Sequence, residues 1–304
     1  MADLLRDRTV PRARLRELIA GDEPVLLPGC YDALGARLIG QAGFDAVYMT
    51  GFGTSASLLG RPDVGLLGMS EMADNARRIV QATDLPVVAD ADTGYGNPIN
   101  VIRTVQEYER AGVSGLHLED QVMPKRCGHM DGKAVVPVGE MVAKIEAAVS
   151  ARTDPDLVLI ARTDARAVDG LDAALDRARR CHDAGADVLF VEALQGEEEI
   201  EIAASELAGI PLVFNWVEGG KTPPLDHARL AELGYRLILM PISTLLAATR
   251  AMRQVLREIR DVGTPTVVAE EQPVFDEFLD LIGLPEIRTL EGRFSEEATS
   301  PHQA

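Results

Sequence analysis

The chain is poor in cysteine, in basic residues and in long apolar runs, and each shortage excludes something. Its 304 residues include three cysteines, Cys30, Cys127 and Cys181. They lie far apart and form no CxxC pair, which argues against a disulfide framework or a structural zinc site and for a reducing, cytoplasmic setting. Thirty basic residues face 48 acidic ones, a formal charge of −18. Nucleic acids and anionic membranes need a net basic face, so neither is expected as a partner. A small anion in a local basic pocket is compatible with that balance. The most apolar stretch, "LILMPISTLLAA", is too short and too interrupted to span a bilayer. The N-terminal "MADLLRDRTVPRARLRELIAG" mixes acids with arginines around no long apolar core, unlike a secretory signal.

What the chain does have is a recurring unit. "QAGFDAVYMTG", "RAGVSGLHLED", "DAGADVLFVEA", "LAGIPLVFNW" and "ELGYRLILMPIS" each read as a helix end, a glycine, a short link and an apolar strand. Gly43, Gly112, Gly185, Gly209 and Gly234 stand where a left-handed residue ends a helix. With the remaining apolar runs, eight strands are expected: 24–27, 46–51, 86–92, 115–120, 157–164, 188–193, 211–216 and 237–243. Amphipathic segments such as "GNPINVIRTVQEYERAG" lie between them. This alternation predicts an α/β fold with parallel strands, a (β/α)8 TIM barrel over 1–263, with an open doubly wound sheet as the alternative. The tail, 264–304, breaks the unit. It reads as short helices with uncovered apolar positions (Val274, Phe275, Phe278, Leu279, Leu281, Ile282) and a disordered end.

In such a barrel the chemistry belongs at the C-terminal strand ends. Those ends carry Tyr48, Thr50 and Gly51; Asp90 and Asp92; His117, Glu119 and Asp120; Arg162, Thr163 and Asp164; Glu192; Asn215; and Ser243. A polar group inside an apolar strand costs several kcal/mol unless it is paired. Asp90 and Asp92 are two apart, hence on one strand face, and Glu119 ends the next strand. Three converging carboxylates suit Mg²⁺, with Mn²⁺ as a substitute. The competing reading pairs them with buried arginines such as Arg162, whose planar fork can equally take a substrate carboxylate. His117 reads as either a supporting hydrogen-bond partner or a catalyst, and Cys30 and Cys181 read as packing. After strand four comes "PKRCGHMDGKAVVP", with neither helical nor strand period, in which Cys127 sits among Lys125, Arg126 and His129.

Together, "ADADTGYGN", "HLEDQVMPKRCGHMDGKAVVP", "IARTDA", "FVEA" and "NWVEGGKTP" resemble the isocitrate lyase and phosphoenolpyruvate mutase superfamily. The KRCGH loop resembles its carbon–carbon lyase branch, which includes methylisocitrate lyase, dimethylmalate lyase, oxaloacetate hydrolase and the petal death protein. The resemblance implies a Mg²⁺-dependent barrel with C-terminal helices exchanged between subunits of a homotetramer. It implies Asp90 as direct metal ligand, with Asp63, Asp92 and Glu119 holding its waters. Thr50, Gly51 and Phe52 would bind a carboxylate, and Arg162, Glu192, Asn215 and Ser243 would line the pocket. Lys125, Cys127 and His129 would form a mobile lid, with Cys127 protonating a carbanion and its charged neighbours tuning the thiol; Tyr48 is the candidate for the hydroxyl proton. Methylisocitrate lyases tend to read FPEA on strand six and to carry an arginine beyond the strand-eight serine, where this chain has Val191 and Leu246. The implied substrate is a dicarboxylate or 2-oxo acid: a 2-alkylmalate, dimethylmalate or oxaloacetate. Methylisocitrate cleavage, a phosphonomutase activity and a non-catalytic metabolite-binding barrel are the alternatives.

Overall fold

The computed structural model describes residues 4–5, 10–265 and 275–295. Eight strands pair in chain order, all parallel: β1 (Val25–Cys30), β2 (Val47–Met49), β3 (Val87–Asp90), β4 (Gly115–Glu119), β5 (Val158–Thr163), β6 (Val188–Val191), β7 (Leu212–Asn215) and β8 (Tyr235–Met240). β8 pairs with β1, so the sheet is a closed barrel rather than an open one. Every expected strand is present. The five punctuating glycines take φ between 83° and 105°, the left-handed region that ends a helix and that a β-carbon disfavours.

Helices α1 (Arg12–Ala20), α2 (Ala33–Gln41), α3 (Gly51–Leu59), α4 (Met69–Ala82), α5 (Pro98–Ala111), α6 (Val138–Ala151), α7 (Leu171–Asp183), α8 (Glu197–Glu206) and α9 (His227–Glu232) fill the connections. The period of two along each strand sorts the core into two clusters. Val47, Met49, Leu116, Leu118, Leu159 and Leu189 pack outward with helix residues such as Ile79, Val105 and Ile145. Leu27, Tyr48, Val88, Ile160, Phe190, Val213 and Leu239 point inward and pack with Leu15 and Ile19 of α1. Continuing the inward parity toward the strand ends gives Asp90, His117, Glu119, Arg162, Glu192 and Asn215. The same rows that fill the barrel thus deliver its polar groups.

Seven strands stop one to three residues earlier than expected, and three of these ends show why. Thr50 caps α3, its hydroxyl accepting from Gly53 N–H at 3.2 Å, and Gly51 is already helical. Ser243 opens a further helix, α10 (Ser243–Val262), rather than ending β8. Asp92 lies beyond β3 with φ 47°, so alternation along a strand does not relate it to Asp90. Thr50 and Asp92 each keep one backbone bond to a neighbouring strand, Thr50 N–H to the Cys30 carbonyl at 3.1 Å and Glu119 N–H to the Asp92 carbonyl at 2.9 Å, before a helix cap or a turn takes over.

Two compact units divide the chain: Thr9–Leu246, and Met1–Arg8 with Ala247–Ala304. α10 crosses from the first into the second, and none of its residues is buried; Met252 is 56% and Leu256 64% exposed. The tail holds two short helices, α11 (Phe275–Leu281) and α12 (Leu284–Arg293), which pack on each other. Phe275 and Ile282 are exposed; Phe278, Leu279 and Leu281 are half-buried. Val274 and the expected disordered end lie outside the described residues. No described helix is long and apolar enough to cross a membrane.

Candidate active site

The strand ends enclose a cavity of about 240 Å³ lined by Tyr48, Thr50, Phe52, Asp63, Asp90, Lys125, Cys127, His129, Arg162, Glu192 and Asn215, among others. Eleven of the expected site residues therefore face one space. Gly51, Asp92 and Glu119 stand behind its wall. Ser243 does not line it; Pro241 and Ile242 do.

Arg162 is the hub. Its Nε donates to Asp164 Oδ2 at 3.0 Å and lies 3.3 Å from Glu119 Oε2, while Nη2 lies 3.5 Å from Glu192 Oε2. The guanidinium rests on Phe190, 5.2 Å from the ring centre, a cation–π contact that covers its apolar face. Both expected roles of Arg162 therefore coexist: it is internally paired, and it lines the cavity. Tyr48 and His117 meet across the barrel, hydroxyl to Nε2, at 2.8 Å. Burial, with Asp90 nearby, pushes the Tyr48 phenol well above its usual range. Burial also lowers His117 to about 4, so the imidazole is neutral near pH 7. Asn215 Nδ2 donates to Glu192 at 3.1 Å, and its buried Oδ1 makes no hydrogen bond, leaving an acceptor free.

The loop from Gln121 to Val136 folds over this rim. Gln121 pairs with Val135 across its neck, and the Gln121 amide brackets Arg126 at 2.8 and 2.9 Å. Lys125 is 3% exposed, and its Nζ lies 2.6 Å from both Asp63 and Asp92. Lys133 reaches Asp164 at 2.8 Å and also bonds the Gly128 carbonyl. A β-carbon on Gly128 would meet Glu192 Cγ at 2.5 Å and Arg162 Nη2 at 2.6 Å. Glycine there allows the loop backbone to lie directly on the charged hub. Burial raises the Cys127 thiol to about 11, the His129 N–H opposing it. Tuning by charged neighbours is thus a lesser effect than expected: Lys125 is committed to two acids and Arg126 turns toward the Asp131 carbonyl. Cys30 and Cys181, at 0% and 2% exposure, are packing residues as expected.

The acids do not close on a single point. Among the described residues no group of three or more His, Cys, Asp or Glu forms a metal cage. The Lys125 ammonium stands between two of the acids, 2.6 Å from both Asp63 and Asp92. A hard cation still fits beside Asp90. Both Glu119 oxygens are buried without a hydrogen bond, and burial pushes that carboxyl well above the usual range. Burial likewise raises Asp92 to about 6. Burial alone would also raise Asp90, but His117, Lys125 and Arg162 hold it below the usual range, so it is the ionised carboxylate facing the cavity. Six carboxylates (Asp63, Asp90, Asp92, Glu119, Asp164, Glu192) face three cations (Lys125, Lys133, Arg162). An anionic substrate entering that surplus needs added positive charge, and an all-oxygen donor set suits Mg²⁺ or Mn²⁺.

α3 presents its first turn to the same space. Gly51 lies so close to Asp90 that a β-carbon would collide with the carboxylate. In the sequence Asp164 reads only as a polar strand end, and Lys133, Gln121 and the segment from Val217 to Gly220, which lines the cavity, stand inside the motifs without a role of their own. Their signal was weak: Lys133 lies in an aperiodic loop, and Gln121 is one of many polar loop residues.

The family model for phosphoenolpyruvate phosphomutase matches residues 15–260. The chain is 49% identical over 283 residues to 2,3-dimethylmalate lyase of Eubacterium barkeri, covering 93% of this chain and 98% of that one. A crystal structure of 2,3-dimethylmalate lyase, described as a PEP mutase/isocitrate lyase superfamily member, superposes with a TM-score of 0.89 at 40% identity, covering 94% and 96% of the two chains. Oxaloacetate acetylhydrolase in complex with 3,3-difluorooxalacetate gives 0.88 at 39% identity over 94% and 98%. The matched span holds the whole barrel and every residue of the cavity. The chain is therefore an enzyme of the phosphoenolpyruvate mutase/isocitrate lyase superfamily, a member of its carbon–carbon lyase branch.

Proposed function

We propose that the chain cleaves the C2–C3 bond of a 2-alkylmalate, with 2,3-dimethylmalate the leading candidate, to give a 2-oxo acid and a monocarboxylate. One observation carries this reading. Cys127 lines the cavity on a loop seated over Arg162 and Glu192, and burial keeps its thiol protonated. A carbanion released by bond cleavage needs a proton donor shielded from water, and an undissociated thiol under a closed lid is one.

The remaining residues take complementary roles. The N–H groups of Gly51 and Phe52, at the start of α3, receive one substrate carboxylate, with Thr50 beside them. The Arg162 fork receives another oxygen pair. Glu192 holds Asn215 and His129 in place. Tyr48 stays a phenol, so it takes the C2 hydroxyl proton only while handing its own to His117 Nε2. Asp90, with Asp63, Asp92 and Glu119 around it, would hold Mg²⁺, which would supply Lewis-acid stabilisation of the developing oxo acid. Lys125 neutralises Asp63 and Asp92 when the lid is down.

Ser243, which does not line the cavity, is given no substrate contact. Leu246 is 44% exposed and adds no cation, and Pro241 and Ile242 present an apolar wall. That wall suits an alkyl group better than the third carboxylate of methylisocitrate. Oxaloacetate hydrolysis is the second reading, favoured by the likeness to oxaloacetate acetylhydrolase. The intact cysteine loop speaks against phosphonomutase chemistry. The uncovered face of α10 supports a homotetramer with exchanged C-terminal helices, and three unpaired cysteines support a cytoplasmic location.

The test is a substrate panel with Mg²⁺ and with a chelator: dimethylmalate, ethyl- and methylmalate, oxaloacetate, methylisocitrate and phosphonopyruvate. Dimethylmalate or another alkylmalate should give the highest kcat/KM, and chelation should abolish it. Preferred turnover of methylisocitrate or phosphonopyruvate would overturn the proposal.

A further inference from the structure

Two loops far apart in the chain meet over the cavity. His129 belongs to the lid, and Val217–Lys221 follows β7. Lys221 N–H donates to His129 Nδ1 at 3.1 Å, and Lys221 Nζ reaches Asp131 Oδ1 at 2.7 Å. An Nδ1 that accepts a hydrogen bond carries no proton, so neutral His129 holds its proton on Nε2. That nitrogen lies 3.2 Å from Glu192 Oε1, the carboxylate that also orients Asn215. The fit leaves no spare room. A β-carbon on Gly220 would stand 2.7 Å from His129 Nδ1 and 3.0 Å from Cε1. The Lys221–Asp131 ion pair is exposed and holds little by itself. The backbone donor and the glycine form the grip.

We infer that Val217–Lys221 is the seat on which the lid closes, with Gly220 and Lys221 as positioning residues for the lyase reaction. The seat holds the lid at its His129 end, opposite the Lys125 anchor on Asp63 and Asp92. Through its N–H, Lys221 sets the His129 tautomer that faces Glu192. The inference rests on the proposed role of Cys127 as the lid's acid, but its test needs no turnover.

Alkylation of Cys127 by iodoacetamide reports lid opening, because Cys30 and Cys181 are buried within the barrel unit. Gly220→Ala should accelerate it by roughly 5–150-fold, the range that an over-packed contact produces, with thermal unfolding nearly unchanged. In Gly220→Ala/His129→Ala the methyl no longer meets the ring, and its other near neighbour, the Val217 carbonyl at 3.0 Å, belongs to the seat and not to the lid, so the rate should equal that of His129→Ala alone. Nitrogen-15 NMR of the unaltered protein should show the Nε2–H tautomer at His129, a readout that survives even if Gly220→Ala fails to fold. A folded Gly220→Ala that alkylates at the original rate, a double variant faster than His129→Ala, or an Nδ1–H tautomer would each overturn the inference. If Cys127 instead proves dispensable for turnover while these readouts hold, the functional proposal fails and the seat stands.

Discussion

Replacing Arg162 by methionine removes the cation shared by Glu119, Asp164 and Glu192, at 3.3, 3.0 and 3.5 Å. Methionine keeps an unbranched chain near Phe190 but leaves three buried carboxylates without that charge. At an effective dielectric constant of about 20, a unit pair near 3.3 Å interacts by about 5 kcal/mol, most of it offset by desolvation. Breaking a buried pair by deleting one partner costs about 3–5 kcal/mol. Unfolding entropy near 2.1 cal/mol/K per residue gives about 0.6 kcal/mol/K for this chain, so Tm should fall by about 5–8 °C. The pH dependence has a definite sign. Without Arg162, burial raises Glu119 further, and Asp164 loses part of what holds it low. The folded form then gains protons first as pH falls, so the deficit is full at pH 8 and shrinks toward pH 5. Arg162→Lys keeps a charge but loses the fork, so it should recover most of the stability and little of the turnover. Calorimetry of the three proteins at pH 5 and pH 8 checks this. An Arg162→Met protein melting at the original temperature at both pH values would show that the hub does not hold the site together.

Cys127→Ser should lower kcat by about 10²–10⁴-fold, the usual worth of a general acid, while 2-oxo acid binding measured by calorimetry changes little; unimpaired turnover would remove the thiol from the mechanism. The raised thiol also predicts a pH profile. With Cys127 near 11 rather than 9.0, its thiolate fraction at pH 8 is about 100-fold below that of an unperturbed thiol. Alkylation should therefore keep rising to about pH 11, and a plateau near pH 9 would contradict the buried, closed lid.

Much of this protein was legible from residue order. Glycines at helix ends and two-sided apolar strands give away the barrel, because both follow from local rules: φ > 0 favours glycine, and a strand covered on both faces is near-continuously apolar up to its end. The inward row from Val88 to Asp90, and from Val188 through Phe190 to Glu192, follows from side-chain alternation alone. The limits appear where the chain leaves regular structure. Alternation placed Asp92 beside Asp90, but the strand ends first and Asp92 turns into a left-handed residue held by Lys125. Ser243 was read as a strand end and begins a helix, since a polar residue after an apolar run is equally good at both.

By itself, then, the sequence determined the α/β repeat, the inward and outward rows, the set of polar strand ends and the loop with the thiol, all set by neighbours within a few residues. Only the tertiary structure decided how those charges are shared. Lys125 neutralises Asp63, sixty-two residues away, Arg162 joins acids from neighbouring strands, and the lid comes down on a segment some ninety residues downstream. Such pairings depend on distances of 3 Å between groups far apart in the chain. Burial, another property of the assembled barrel, rather than the charged neighbours in the sequence, is what makes Cys127 keep its proton.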